Sequence, residues 1–403
     1  MTPEPAPPPR RRRWLRLSVR ALLALVAALA IALGWWSHLA HEQAAAVAAI
    51  RAVDPQAGIQ YDNEPPGRGG ENDPINLVRS PWVPEALERW LGVDYFFRVR
   101  ILGLGKKGTE LSPADRRQIT NQLGRLPHLK QLVVPFPIDD ADLAPLARMT
   151  ELKDLILGDS NPGLTDRTLA VIGRLSRLEE LEIGDTSVTD AGLAHLAHLS
   201  RLENLSIGDA SVTDAGLAHL ARLDQLQTLF IGHPPRAQSA GAGRVAITGS
   251  GFTALGRLPH LRLLQLFSTT LSGPGLAGIG RLTHLKELAL GRYGDDPSPR
   301  SMIADLRALT PLDNLGALGI EGFGGDATSL VHLKGIKNLV SFMAPGLGDE
   351  AIPTLLELPA LRSLTFKKHH LTAGGLAALR ANPRFRSVGV DRLPTAPPAA
   401  SPP

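Results

Sequence analysis

Leu178-x-x-Leu181-x-Ile183 recurs as Leu202-x-x-Leu205-x-Ile207 and again as Leu226-x-x-Leu229-x-Ile231. The interval from Leu178 to Leu202 equals the interval from Leu202 to Leu226. A fixed period in the range of about 20 to 50 residues is the signature of a solenoid, in which one short unit is stacked on copies of itself. The repeat therefore decides the fold of this chain.

The motif can be followed through most of the sequence, and it predicts eleven strand-forming units. Their spacing stays near the interval from Leu178 to Leu202, with a few longer connections. The longest insertion is the Gly/Pro/Ala-rich stretch from His233 to Val245. The predicted units begin at Leu129, Leu152, Leu178, Leu202, Leu226, Leu261, Leu285, Leu315, Leu339, Leu361 and, in degenerate form, Phe385.

Each unit has a strand half and a helical half. Side chains alternate along a strand, so Leu205 and Ile207 face inward while Asn204 and Ser206 face outward. In the segment 212–220 that follows, Thr213 or Asp214 can cap a short helix, whose leucines point back to the core. One unit cannot cover its apolar face alone, but stacked units can.

At these positions the chain resembles the leucine-rich repeat family, over about residues 95 to 392. The runs Val188–Leu193 and Val212–Leu217 are similar to a short-repeat branch whose helical half opens with Thr-Asp-x-Gly-Leu. The resemblance implies an α/β solenoid with a parallel sheet on its concave face, short convex helices and a binding role for the concave face. Where the family consensus has Asn or Cys, this chain has Thr186, Ala210, Thr269 and His369, so a regular asparagine ladder is not expected.

The N-terminus carries a second strong signal. Residues Ala21 to Ala40 include no formally charged side chain, and about 20 such residues suffice to span a bilayer. The preceding arginines predict a cytoplasmic N-terminus, with the repeats outside the cytoplasm. A cleaved signal peptide is the alternative, because the most apolar part is short and Ala44 to Ala46 could serve as a cleavage site.

These patterns divide the chain into six segments. They are a basic cytoplasmic tail (1–20), a transmembrane anchor (21–40), a stalk and linker (41–80), an N-terminal cap (81–95), the repeat solenoid (96–392) and a disordered Pro-rich tail (393–403).

Composition narrows the function classes. The net charge is +4, and the arginines of the N-terminal cluster alone exceed it. The rest of the chain is nearly balanced, so no broad nucleic-acid-binding surface is predicted. The sequence has no cysteine, which excludes disulfides, thiolate zinc sites and cysteine nucleophiles.

Two patterns imitate chemistry. Residues 103–108 match the glycine spacing of a dinucleotide-binding loop, but a glycine-rich turn after the first strand explains them better. His195 and His198 are spaced like metal ligands, yet His219 repeats His195 one period later, which favours a stacked convex position. No catalytic residue, metal site or cofactor is predicted.

The predicted partner-binding surface lies on the concave sheet. Asp159, Asp185 and Asp209 each follow a Gly just after adjacent strands, so their carboxylates should form a column; either each side chain caps its own turn, or the column awaits a basic partner or cation. Asp154, Glu180 and Glu182 enlarge this acidic surface, and farther along Lys367, Lys368, His369 and His370 give the C-terminal end the opposite sign. Apolar outward residues indicate a partner site, unless loops cover them. The predicted contact residues are Glu180, Glu182, Asp185, Asn204, Ser206, Asp209, Phe230, Gln265, Phe267 and Met343.

The sequence therefore predicts a membrane-anchored, non-enzymatic module that binds a protein or peptide on its concave face. The alternative is a structural or envelope-organising repeat protein without a defined ligand. An enzyme or regulatory subunit using the acidic residues ranks last, because no nucleophile, base or metal cluster stands out.

Overall fold

The strands of the computed structural model follow the repeat motif closely. Eleven of them begin two positions after the first apolar residue of a predicted unit, which confirms the predicted strands. In chain order they are β3 (Gln131–Val134), β4 (Asp154–Leu157), β5 (Glu180–Ile183), β6 (Asn204–Ile207), β7 (Thr228–Ile231), β8 (Leu263–Leu266), β9 (Glu287–Leu290), β10 (Ala317–Ile320), β11 (Ser341–Pro345), β12 (Ser363–Lys367) and β13 (Ser387–Val390).

Two further strands precede them, β1 (Gly58–Tyr61) and β2 (Val99–Gly103). The structure describes residues 19–62, 93, 97–105, 111–158, 161–208, 211–232, 247–267, 273–291, 306–320, 327–367 and 369–390. The chain forms two compact units: Met1–Ala45 with Asn63–Arg98, and Ala46–Asp62 with Val99–Pro403. The second unit contains every described strand.

The thirteen described strands form one sheet in sequence order. From β2 to β13 each strand pairs in parallel with the next, and equivalent residues stand side by side. Leu181, for example, is opposite Leu205, which is opposite Leu229. These inward leucines are fully buried, so stacking the units builds a continuous apolar core.

Strand β1 was not predicted, and it lies in the segment 41–80 assigned to a stalk and linker. It pairs antiparallel with β2 and closes the first edge of the sheet. Asp54 fixes its start, because the carboxylate accepts hydrogen bonds from the backbone N–H groups of Gln56 (3.1 Å) and Gly105 (2.7 Å). The repeat array therefore begins with a strand of reversed direction.

Helix α1 (Val19–Val53) contains the predicted membrane segment and continues beyond Ala40 as far as Val53. Its apolar side chains from Leu22 to Leu39 are exposed. It is long and apolar enough to cross a membrane, although a signal sequence would satisfy the same criteria. The last turns of α1 belong to the second unit, and there Ala46, Val47 and Ile50 are buried rather than exposed.

Short helices connect the strands. The α-helices are α2 (Pro113–Leu123), α3 (Asp166–Ile172), α4 (Asp190–Leu196), α5 (Asp214–Leu220), α6 (Phe252–Leu255), α7 (Gly273–Ile279), α8 (Ile352–Glu357) and α9 (Ala373–Ala381). The 3₁₀ helices are Ala144–Arg148, Leu306–Leu309, Ala327–Gly335 and Asp349–Ala351. The helical face that points to the sheet is apolar, as the sequence predicts; Leu217 and Leu220 of α5 are fully buried.

The threonine and the aspartate of each Thr-Asp pair have different roles, and the sequence alone did not show which of them caps the helix. The threonine caps its own helix: Thr213 Oγ1 accepts the N–H of Ala215. The aspartate instead bonds the next unit, because the N–H (2.8 Å) and Oγ1 (2.6 Å) of Thr213 both donate to Asp190. We call this contact between consecutive units the Asp–Thr rung.

The rung recurs along the array. Its other pairs are Asp140 with Thr165, Asp166 with Thr189, Asp214 with Thr248 and Asp349 with Thr372. It explains the glycine of the motif: a Cβ on Gly192 or Gly216 would collide with the aspartate of the preceding unit. The motif is therefore an interface between units as well as a helix start.

One residue forms a bond of the asparagine-ladder type. Asn161 is fully buried, and its Oδ1 accepts the N–H of Ile138 in the preceding unit (3.1 Å). It is bridged to Thr186, whose Oγ1 accepts the N–H of Val188 inside its own turn (3.4 Å). The ladder therefore stops after Asn161. This agrees with the sequence, which has Thr186 in place of the consensus asparagine.

Several predicted features fall wholly or largely outside the described residues. They are the basic tail at 1–20, the cap at 81–95, of which the structure describes only residue 93, the second half of the glycine-rich motif at 106–108, the insertion at 233–245 and the tail at 393–403. In the first half of that motif, Gly103 ends β2, and the N–H of Gly105, just after the strand, donates to Asp54.

Candidate functional site

Along the repeat strands, side chains that face the core alternate with side chains that point away from it. In β5, β6 and β7 these are the first and third residues, and they are partly exposed while the second and fourth are buried. Because the strands are in register, equivalent outward residues line up across the sheet. We call the surface made by these positions, and by the residues that flank each strand, the open face.

Acidic residues occupy the open face over β4 and β5. Asp154 is opposite Glu180, and Glu182 follows two positions later on the same side of β5. We call Asp154, Glu180 and Glu182 the acidic patch. Burial raises the pKa of Glu180 above its ordinary value, and the negative charges of Asp154 and Glu182 raise it further. Like charges here repel, and adding cationic groups would relieve that repulsion.

The pKa of Asp154 is also raised, first by burial and then by the charge of Glu179, while Lys153 acts in the opposite direction. Lys153 Nζ lies 2.6 Å from Glu179 Oε1, so this lysine is already paired with a neighbouring unit. Beside it, Gln227 Nε2 donates to Glu203 Oε2 (2.9 Å). The row of residues just before the strands therefore contributes interactions between units.

The predicted polar contacts Asn204 and Ser206 continue the face onto β6. Asn204 is opposite Glu180, and Ser206 is opposite Glu182 on one side and Phe230 on the other. Phe230 is in turn opposite Gln265 of β8. These four predicted residues are all partly exposed. The register of the strands therefore brings Asn204, Ser206, Phe230 and Gln265 together beside the acidic patch.

Met343 lies elsewhere on the same face. It is four strands away from Phe230, on β11, and it is opposite Gly319 of β10. Its Cε would be 3.0 Å from a Cβ at that glycine, so the thioether side chain lies against the backbone of β10. Phe230 and Met343 therefore belong to one surface but not to one cluster.

Phe267 differs from the prediction. It follows β8 at the position where neighbouring units have glycine, and it is only 8 % exposed. A Cβ on Gly291 would collide with its ring, so the ring covers the glycine of the next unit. Alternation suggested an outward side chain, but the strand has ended and the ring packs sideways. Phe267 therefore offers little surface to a partner.

Of the aspartates that follow the strands, only Asp185 is described, because Asp159 and Asp209 lie outside the described residues. Asp185 is partly buried at the turn, and its backbone carbonyl accepts the N–H of Asn161 in the preceding unit (2.9 Å). This contact supports a role in the turn. The proposed column of three carboxylates stays a prediction.

The far end of the open face is basic. Arg362 and Arg386 directly precede β12 and β13, and Lys367 ends β12. Lys367 and Arg386 are exposed, whereas Arg362 is partly buried and donates to two backbone carbonyls, of Pro359 (2.9 Å) and Leu361 (2.8 Å). The sequence prediction named Lys367 as basic but missed the two arginines, although they share the position of Lys153 in the repeat.

The described residues define the chemical groups of this surface. Within the described residues, no group of three or more histidines, aspartates or glutamates has the arrangement of a metal site. His195 and His219 are exposed one unit apart on α4 and α5, at the convex positions that repetition predicts. Over β4 to β8 the face presents carboxylates, amides, small hydroxyls, the aliphatic side chains of Ile156 and Leu263 and the aromatic ring of Phe230.

Neither protein-family models nor curated protein sequences match the chain. Among solved structures, the chain is similar to an internalin, InlF, from Listeria monocytogenes. The identity is 18 % and the TM-score 0.39, over 68 % of this chain and 83 % of that one.

Two more internalin structures from Listeria monocytogenes are similar. One is internalin C2, with 22 % identity and a TM-score of 0.32, covering 46 % of this chain and 89 % of the other. The second is the functional domain of InlJ, which includes a cysteine ladder; it has 14 % identity and a TM-score of 0.40, covering 67 % and 50 %. The parallel sheet, its repeat register and the connecting helices give this chain the leucine-rich repeat solenoid fold, preceded by one apolar N-terminal helix.

Proposed function

We propose that this protein is a non-enzymatic module that binds a protein or peptide on the open face of its sheet. The main support is one observation: outward positions vary from strand to strand while inward positions remain apolar and buried. A rigid platform with variable side chains suits recognition. Phe230 adds a partly exposed aromatic ring among polar groups, and aromatic residues are enriched among binding hot spots.

We further propose that α1 is an uncleaved membrane anchor, with the N-terminus in the cytoplasm and the repeats outside it. The alternative cleavage site at 44–46 lies within the helix, and Ala46 and Val47 there are buried. Cleavage would cut the helix where its side chains join the core. Mass spectrometry of the protein purified from membranes should find the N-terminal peptides. A mature protein that begins near residue 47 would contradict the anchor.

Affinity capture tests the binding role. The full chain in non-ionic detergent serves as bait against native membrane extract, beside Phe230→Glu and Met343→Glu. Val331→Glu is the matched control, since Val331 is 44 % exposed on a 3₁₀ helix away from the open face. A partner kept by the wild type and the control but lost by Phe230→Glu supports the proposal. Equal recovery by all variants would contradict it.

A structural, self-associating role is the second candidate, and β13 favours it. This strand is the last of the described sheet, and Val388 and Val390 are only partly buried, unlike the inward residues of the other repeat strands. An exposed strand edge can pair with another chain. Sedimentation of the full chain in detergent over a range of concentrations would reveal such association, and Val390→Lys should abolish it.

A further inference from the structure

The charge on the open face is not uniform: the end over β4 to β6 is acidic, the end over β12 and β13 is basic, and the exposed Arg262, Lys286 and Glu287 between them are of mixed sign. The acidic patch lies over β4 and β5, and Glu203 extends it to the start of β6. Among the described residues, no ion pair joins Asp154, Glu180 or Glu182 to a cation. At the other end, Lys367 and Arg386 are exposed. We call Lys367 and Arg386 the basic end.

The surface between the two ends changes in size. Phe230 and Leu263 are large outward residues on β7 and β8. The following strands carry Ala289, Ala317 and Gly319 in outward positions; Ala289 is opposite Gln265 and Gly319, and Ala317 is opposite Glu287. Ala289 and Ala317 extend only a short way above the sheet, and Met343 lies over Gly319, so this part of the face is bordered by the apolar side chains of Leu263 and Met343.

From this arrangement we infer that the partner is a protein segment of split charge, with basic residues over β4 to β6, acidic residues over β12 and β13, and a bulky apolar residue between. The inference rests on the proposed function and specifies its partner. Opposite charges across an interface fix the register and suppress wrong partners. A segment with one sign of charge would be attracted by one end of this face and repelled by the other.

The raised pKa values of the acidic patch support a basic segment as its partner. The pKa values of Asp154 and Glu180 are raised by burial and by neighbouring negative charges. A cationic side chain placed beside them favours the ionised forms and lowers both pKa values. Binding of a basic segment should therefore release protons, and its affinity should fall as the pH is lowered toward those pKa values.

The distance between the two ends defines the length of the partner. Strands β5 and β12 are seven strand spacings apart, and spacings of about 4.8 Å put them at most about 34 Å apart. An extended segment spans this distance with about 10 residues, at about 3.3 Å per residue. A helix, which rises about 1.5 Å per residue, needs about 22 residues.

Synthetic peptides can test the inference. The probes are five lysines and five glutamates joined by Gly-Ser spacers of increasing length, each with a fluorescent label. They are titrated with the full chain in non-ionic detergent at low salt. We expect the best spacer to bind about tenfold or more tightly than the lysine or glutamate block alone, because linked contacts raise the effective concentration. High salt should remove the gain.

Variants assign each block to its end of the face. Glu180→Gln with Glu182→Gln should reduce binding of the linked peptide to that of the glutamate block, and Lys367→Gln with Arg386→Gln to that of the lysine block. Asp224→Asn with Arg222→Gln, both exposed in the turn before β7, is the matched control and should leave binding unchanged. The inference is overturned if a peptide of alternating lysine and glutamate binds as tightly, or if the control weakens binding equally. The Phe230→Glu capture experiment judges the proposed function independently.

Discussion

The repeats of β4 to β7 and those of β9 to β11 share one strand motif but differ in their helical halves. The first group is connected by α3, α4 and α5, each capped by a threonine and joined to its neighbour by an Asp–Thr rung. The second group is connected by the 3₁₀ helices Leu306–Leu309 and Ala327–Gly335, whose sequences lack the Thr-Asp-x-Gly run. In these two groups apolar spacing is sufficient for the strand, while the longer α-helical connections occur where a threonine caps the helix.

The largest effect should come from disrupting a rung of the first group. Gly216→Ala places a Cβ against the carboxylate of Asp190 and should destabilise the protein by about 1–3 kcal/mol, the usual range for overpacking. Gly374→Ala is the matched control, because its nearest neighbour, Thr372 Oγ1, would be 3.6 Å away. Urea unfolding of both variants measures the difference. Equal stability of the two would show that the rung tolerates a side chain.

The same site allows a double-mutant cycle. Asp190→Ala removes the acceptor of two hydrogen bonds from Thr213 and should cost about 1–3 kcal/mol. In that background Gly216→Ala should cost much less, because its colliding partner is gone. Additive losses in the urea-unfolding free energy would place the cause of the glycine requirement elsewhere, such as in the backbone of α5.

Two carboxylates should respond to neutralisation in opposite directions. Asp214 accepts hydrogen bonds from Thr248, Gly249 and Gly251; burial raises its pKa, but these bonds together bring the pKa below the ordinary value of 3.8. The pKa of Glu180 is raised above 4.5. At pH 7 we expect Asp214→Asn to lower the melting temperature by a few degrees, and Glu180→Gln to raise it by about 1–2 °C.

The pH dependence follows from the same shifts. A lowered pKa in the folded state stabilises the protein above the unfolded pKa, so the contribution of Asp214 is lost as the pH falls through its folded value, below 3.8. For Glu180 the sign is reversed: its relative contribution is present below 4.5 and is lost as the pH rises through the raised value. The difference in melting temperature between wild type and Glu180→Gln should therefore shrink toward pH 4. A constant difference would exclude this cause.

The smallest effect is expected at the last described rung. Asp349 accepts the N–H (2.9 Å) and Oγ1 (2.6 Å) of Thr372, but this contact is exposed, unlike the partly buried rung of Asp190. Asp349→Asn should therefore cost less than Asp190→Asn, less than about 1 kcal/mol. Hydrogen exchange at the amide of Thr372 should report the loss locally. Greater destabilisation than at Asp190 would show that exposure does not weaken the rung.

The strands were predictable because each rests on apolar residues at fixed spacing. Strand β1 was not, since its four residues carry no repeat and lie in a stretch rich in Gly and polar residues. The different roles of Thr213 and Asp214 could not be predicted either. Asp214 accepts its hydrogen bond from Thr248 of the following unit, which comes after the long insertion in the sequence. Capping rules describe one helix and contain no information about its neighbour.

The sequence predicted which strand positions face outward, but it predicted less well which of their side chains are exposed to a partner. Alternation placed Phe230 and Gln265 correctly and failed for Phe267, which has left the strand and lies over Gly291. The basic end was only partly recognised, since Arg386 directly precedes a degenerate last strand. Position in the repeat determines the direction of a side chain only while the backbone stays extended.

The rung formed by Asp214 has a consequence for how this protein can change over evolution. The chain is held on both sides of the long insertion: Gly232 N–H donates to Ile207 O (2.9 Å) before it, and Thr248 and Gly249 donate to Asp214 after it. The segment between these anchors, 233–246, can then vary in length and composition without altering the register of β7 and β8. Selection can change this segment independently of the repeats, and the same position offers an engineer a place to insert a new epitope.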